Sequence, residues 1–166
     1  IPKYGIINVH PSLLPKYRGA TPINPAILNV ETVTGVTTMQ VDEGMDTGDI
    51  ILSDEIEIDA TDTAQTLSEK LAVLSEKTLG NTINMLHLGI PLNAKPQDDS
   101  LATNTTLITK EMGHIDYTKS ADEIINHIRG YQPWPCAYSF LNDKSLKIYS
   151  AVSTGIESKQ APGTVV

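Results

Sequence analysis

The sequence predicts an α/β fold, and three observations carry that prediction. Two short runs, Ile6-Ile7-Asn8-Val9-His10 and Gly35-Val36-Thr37-Thr38-Met39-Gln40-Val41, read as strands. From Thr63 to about Leu88, apolar residues recur at the three- and four-residue steps of a helix. Each strand-like run ends in turn-forming residues, Pro11 to Pro15 after the first and Asp42 to Asp49 after the second. The sheet is expected to be parallel and buried on both faces, with ligands at the ends of its strands.

The elements follow in order. Pro15-Lys16-Tyr17-Arg18-Gly19-Ala20 is a loop, and Pro22 to Val30 can form a short helix with Pro25 tolerated in its first turn. Ile50 to Ile58 begins apolar and ends in strict alternation, a strand becoming half-exposed. Asp59 to Asp62 is a polar turn. The long helix should bury Leu67, Leu71, Leu74 and Leu86, with Ala72, Leu79 and Ile83 beside them. Gly80 weakens its middle by roughly 1 kcal/mol relative to alanine, and Gly89 with Pro91 stops it.

Asn93 to Thr109 is polar and aperiodic, so it reads as a linker containing the domain boundary. The division is therefore residues 1–92, linker 93–109 and a second unit at 110–166. Ser120-Ala121-Asp122-Glu123 is a capping box that starts a helix to about Tyr131, with Ile124, Ile125 and Ile128 as its buried stripe. Ala137–Asn142 and Leu146–Val152 read as strands joined by a tight turn at Asn142-Asp143-Lys144.

Composition bounds the class. Forty per cent hydrophobic and 19% charged residues describe a globular protein. No apolar stretch approaches the ~20 residues of a membrane span, and nothing resembles a signal peptide. The single cysteine, Cys136, excludes an intrachain disulfide and suits a reducing cytoplasm. The net charge of −8 lies in residues 1–109, with six Lys/Arg against fourteen Asp/Glu; residues 110–166 carry six of each. A free-standing nucleic-acid module is usually basic, so any grip on nucleic acid must be local. Both ends are expected to be cut, because the chain opens on Ile1-Pro2 before a core strand and closes on Gly163-Thr164-Val165-Val166, a strand barely begun.

Chemistry concentrates near the start. Asn8 and His10 stand two residues apart and share a strand face. The Gly- and Asp-rich turn after Val41 can hold the Asp46 carboxylate against them. Metal binding fits poorly. Asp42, Asp46 and Asp49 miss the alternating calcium-loop pattern, and His87, His114 and His127 lack paired-ligand spacing. There is no GxGxxG and no P-loop.

The run Asn8-Val9-His10-Pro11-Ser12-Leu13-Leu14-Pro15, then Arg18-Gly19-Ala20, Pro22-Ile23 and Asp46-Thr47-Gly48-Asp49, resembles the folate-dependent formyltransferase family. A distal match at Ile115-Asp116-Tyr117 and Ile128-Arg129-Gly130-Tyr131-Gln132-Pro133-Trp134-Pro135 extends the resemblance over essentially the whole chain. It implies the C-terminal half of a Rossmann-like formyltransferase domain followed by the start of an OB-like, tRNA-binding β-barrel. It implies 10-formyltetrahydrofolate as donor and the amino group of methionyl initiator tRNA as acceptor, without a metal. A folate-dependent formyl hydrolase, another formyltransferase of the family, or a non-catalytic folate or tRNA binding unit are the alternatives. By the same resemblance Asn8, His10 and Asp46 are catalytic. Ser12, Leu13, Leu14 and Pro15 would border the folate, with Val41, Asp42, Glu43 and Gly44 flanking its pteridine. Arg18 would face the acceptor, and Trp134 would anchor the domain interface. A full-length protein of this kind is expected to be monomeric. The 166-residue chain alone is expected to be inactive and to self-associate through an exposed sheet edge.

Overall fold

The computed structural model describes residues 2–157 and 159–165. Its elements are β1 (Ile7–His10), β2 (Arg18–Gly19), α1 (Ile23–Leu28), β3 (Val33–Gln40), β4 (Ile50–Glu57) and α2 (Ala64–His87). Then come β5 (Asn104–Thr105), α3 (Ala121–Gly130), β6 (Ala137–Leu141) and β7 (Lys144–Ile148), with single 3-10 turns at Asp99–Leu101 and Glu111–Gly113. The class is α/β, but the expected parallel sheet is not what these strands form. They make a three-stranded sheet in the order β1-β3-β4, and both pairings are antiparallel. The physical reason is the connection from β3 to β4: nine residues, 41–49, are enough for a hairpin loop and too few for a parallel crossover.

The helix α2 covers this sheet. Thr63 caps it, its hydroxyl accepting the Thr66 amide while the Thr66 side chain accepts the Thr63 amide. Leu67 and Leu71 are fully buried against Ile27, Val36 and Ala64, each such leucine stabilising by ~1.5–3 kcal/mol. The second half of the helix departs from the expected apolar stripe. Thr78 and Thr82 occupy the buried face, and Ile83 is 52% exposed. Thr82 Oγ1 lies 2.9 Å from Thr38 Oγ1, and Thr78 donates to Asp54 at 2.8 Å. The sheet offers hydroxyls and a carboxylate here, so the helix presents threonines to them.

A second cluster of buried residues, Ile115, Ile128 and Ala137, lies under α3 with Ile124 and Ile148 against it. Ser120 and Glu123 form the predicted capping box. Asn142 and Asp143 both adopt positive φ in the β6–β7 turn, the geometry a two-residue hairpin requires. β7 ends at Ile148, short of the expected Val152. Of 163–166, expected to begin a strand, Val166 lies outside the described residues and 163–165 carry none. The two halves pack together. Asn24 donates to Gly130 O at 2.7 Å, and Arg129 Nη1 donates to Asp62 O at 2.7 Å.

The segment expected to be a linker is docked. Lys95 exchanges both backbone hydrogen bonds with Ile50 at 2.8 Å, and β5 pairs parallel with β2. Its polar side chains explain why periodicity missed it, since they hydrogen-bond inward instead of burying an apolar face.

Candidate active site

β1 puts Asn8 and His10 on one face. Because β3 is antiparallel to β1, with His10 opposite Thr37 and Ile7 opposite Gln40, the 41–49 loop leaves the sheet at the far end from His10. It must therefore fold back over the β1 face to deliver Asp46, a correction to the idea that strand ends meet. Gly48 permits the fold-back, since a Cβ there would lie 1.6 Å from Gln40 O. Asp46 itself is left-handed at φ 55°, which Asp tolerates better than most residues.

The structure brings Asn8, His10 and Asp46 together. Asp46 Oδ1 accepts from Asn8 Nδ2 at 3.3 Å, and Oδ2 accepts the Gly19 backbone amide at 2.8 Å. His10 Nδ1 lies 3.5 Å from the same Oδ2, with the imidazole 5% and the carboxylate 16% exposed. His10 Nε2 is 2.9 Å from Tyr17 O. A carbonyl only accepts, so Nε2 carries a proton and Nδ1 is the nitrogen turned to Asp46. One amide N–H of Asn8 points to Asp46, which leaves the other for a further acceptor. An oriented imidazole, a carboxylate and a donor amide can move a proton and stabilise a developing oxyanion within one site.

The residues expected to line a ligand divide into three groups. Ser12 and Leu14 are buried, because the turn hooks inward onto β3: Thr37 Oγ1 donates to Ser12 O at 2.7 Å and accepts the Leu14 amide at 3.2 Å. Their side chains are part of the fold and do not border open space. Leu13 and Pro15 do, lining a pocket of about 320 Å³ with Tyr17, Glu31, Val33 and Leu101. Burial pushes the Tyr17 phenol above its ordinary range, and its hydroxyl donates to Glu31 at 2.8 Å. Val41, Asp42, Glu43 and Gly44 are exposed and do not line that pocket. The Asp42 carboxylate accepts from Gly44 N and Thr47 Oγ1, which shapes the loop.

Arg18, expected on the acceptor side, is placed inside the fold. It is 6% exposed, and its guanidinium donates to Gln97 Oε1 from Nε at 3.1 Å and from Nη2 at 2.8 Å. Nη2 also reaches Asp99 at 2.8 Å. It is a strut between the loop and the 93–109 segment. Trp134, 55% exposed, lies beside Thr21, Ile23 and Leu107 in a groove of about 550 Å³ between the two halves. Sequence reasoning missed Gln97, Thr103 and Thr105. Thr103 Oγ1 accepts the Tyr17 amide, and Thr105 Oγ1 donates to Arg18 O and accepts the Thr21 amide. Nothing local in the sequence marks them, because each works on a loop some 80 residues away. Among the described residues, no group of His, Cys, Asp and Glu is placed to hold a metal ion.

Sequence comparison gives the class to which this fold and cluster belong. The chain belongs to the formyl transferase family: residues 1–83 match its formyl transferase domain and residues 107–166 its formyl transferase C-terminal domain. Among individual proteins it is similar to the methionyl-tRNA formyltransferase of Caldanaerobacter subterraneus subsp. tengcongensis, 49% identical over all 166 residues and 53% of that relative. That of Thermodesulfovibrio yellowstonii is 48% identical over the same span. The chain thus spans about half the length of the curated relatives it matches. In structure it is similar to the N-formyltransferase from Helicobacter canadensis solved with folinic acid and dTDP-3-aminofucose. That match has a TM-score of 0.75 at 29% identity, covering 87% of this chain and 53% of that one. HypX from Aquifex aeolicus shares the fold at 19% identity, with a TM-score of 0.76 over 96% of this chain and 29% of its own.

Proposed function

We infer that the chain carries the catalytic centre of an enzyme that formylates the amino group of methionyl initiator tRNA, with 10-formyltetrahydrofolate as donor, in translation initiation. The observation that carries this reading is the convergence of Asn8, His10 and Asp46 on one face of β1. Identity of 43–49% to proteins named methionyl-tRNA formyltransferase supports the acceptor. The folinic acid bound to the Helicobacter canadensis relative supports a folate donor. The donor supplies an activated formyl carbon, and everything else is the work of side chains. The uncommitted N–H of Asn8 donates to the oxyanion of the tetrahedral intermediate. His10, fixed by Tyr17 O, presents Nδ1 for the proton. The attacking amine gives its proton to Nδ1, Asp46 accepts from the resulting Nδ1–H and so steadies the imidazolium, and the same proton then passes to the departing nitrogen. No covalent nucleophile is required: Cys136 is buried in the second half of the chain.

In this reading residues 1–92 form the catalytic unit and 110–166 the start of an OB-like tRNA-binding domain, in a cytoplasmic protein. No helix among the described residues is long and apolar enough to cross a membrane. A sugar-linked amine is the second reading, since solved relatives at 29% identity include a sugar 3N-formyltransferase. The test is formyl transfer by the natural full-length protein, offered methionyl-tRNA, a nucleotide-linked amino sugar, or water alone. Formylation of methionine on tRNA is expected. Turnover confined to the sugar or to water would overturn the assignment of the acceptor.

A further inference from the structure

Gln97 lies between the two family matches, in the segment that sequence reading treats as a linker, and it spends its whole amide on the site. Its Nε2 donates to Asp46 O and to Gly48 O, both at 2.8 Å. Its Oε1 accepts twice from Arg18. The two carbonyls belong to the turn that folds back over β1, one of them to the left-handed residue that bears the carboxylate. The Arg18 side of the contact holds the loop that supplies Gly19 N to Asp46 and Tyr17 O to His10. Both groups that orient the acid–base pair therefore trace to one side chain. We propose that Gln97 is a positioning residue for formyl transfer: it fixes the Asp46 carboxylate against His10 Nδ1 through the carbonyls of Asp46 and Gly48.

The proposal rests on the catalytic reading of Asp46 given above. Chemistry argues for an amide at this position and against its isosteres. A carboxylate would keep the Arg18 contacts but could not donate, and it would face two carbonyl oxygens. A leucine would do neither, stranding the buried Arg18 guanidinium as well. Asp99 provides the contrast, because its side chain is 83% exposed and pairs with Arg18, whereas the hydrogen bonds to the Asp46 turn come from Gln97.

The experiment uses the natural full-length protein with Gln97→Glu, Gln97→Leu and Asp99→Asn. It measures kcat and KM for both substrates, the thermal midpoint, and hydrogen exchange at the Gly19 amide. Misplacing a catalytic group by about 1 Å can cost ~100-fold in rate. Gln97→Glu is therefore expected to lower kcat by ~10–100-fold with KM little changed, and to speed Gly19 exchange at least about tenfold, at a near-native midpoint. Asp99→Asn, which removes a charge on a side chain that is 83% exposed and leaves the Gln97 contacts to Arg18 in place, should stay within about twofold in kcat. Gln97→Glu with native kcat and native Gly19 protection overturns the proposal. So does a loss shared equally by Asp99→Asn and tracking the midpoint, which would make Gln97 a fold residue only. Gln97→Glu decides the matter if Gln97→Leu does not fold. If wild-type protein transfers no formyl group to any acceptor, the function above fails; faster Gly19 exchange in Gln97→Glu alone would still support the bracing of Asp46, and unchanged exchange would end it.

Discussion

Asp46 carries a side chain on which three groups converge while its backbone sits in a left-handed conformation. For an L-residue that conformation costs ~1–2 kcal/mol, so neighbours must hold it there. In the proposed reading His10 and Asp46 act on charge that develops during transfer, and acid–base groups of this kind contribute ~10²–10⁴-fold. His10→Ala and Asp46→Asn in the full-length protein are expected to lose that much in kcat, with KM for methionyl-tRNA nearly unchanged. Near-normal turnover by either variant, with native circular dichroism, would remove the residue from the mechanism. Asn8 and His10 are legible in the sequence because an i, i+2 pair on a strand always shares a face. The burial of Ser12 and Leu14 is not legible in the same way. A proline-fixed turn can point either way, and only Thr37 on the neighbouring strand turns it inward.

The helix α2 shows what a hydrophobic period can and cannot report. Its first half is legible, since Leu67 and Leu71 are buried at the helical period. Its second half is not, because Thr78 and Thr82 become interior residues only where Asp54 and Thr38 provide partners. Gly80 sits in this helix with nothing within 4 Å of a built Cβ. Gly80→Ala should therefore stabilise the protein by roughly 1 kcal/mol, seen as a thermal midpoint ~2–4 °C higher; an unchanged or lower midpoint would point to a contact at that position. At the N-terminal end, Asp62 is 6% exposed and paired with Lys70 at 2.7 Å. Burial opposes its charge, but Lys70, the Asp59 amide and Thr66 outweigh that, and its carboxyl lies below the usual range. A depressed carboxyl contributes stability that is present above its unfolded value of ~3.9 and lost as pH falls through the lower folded value. Asp62→Asn should lower stability at neutral pH and flatten its decline in that acid window. Urea unfolding at stepped pH measures it, and parallel acid limbs for the two proteins would refute the linkage.

At the scale of the whole molecule, the sequence conveys two units and the intervening polarity. It does not convey that residues 95–106 lie against the first unit, since such docking is written in hydrogen bonds between distant residues. The sheet carries a second consequence. Among the described residues β1 pairs only with β3, so its other edge offers unpaired backbone groups beside Asn8 and His10, and an open edge invites a further strand. The 166-residue chain by itself is therefore expected to self-associate and to lack transfer activity. Light scattering and a formylation assay check this, and a clean monomer within about tenfold of full-length turnover, ~1.4 kcal/mol of barrier, would contradict it. The Gln97 contact also sets an order in time. Translation adds ~5–20 residues per second, and Gln97 follows Asp46 by 51 positions, so roughly 3–10 s separate their synthesis. Ribosome-bound chains stalled before and after Gln97 should differ in Gly19 exchange while sharing the sheet; equal protection in both would refute this sequence of events. A nascent chain would thus possess its strands and long helix before it could hold Asp46 still, and competence for chemistry would arrive last.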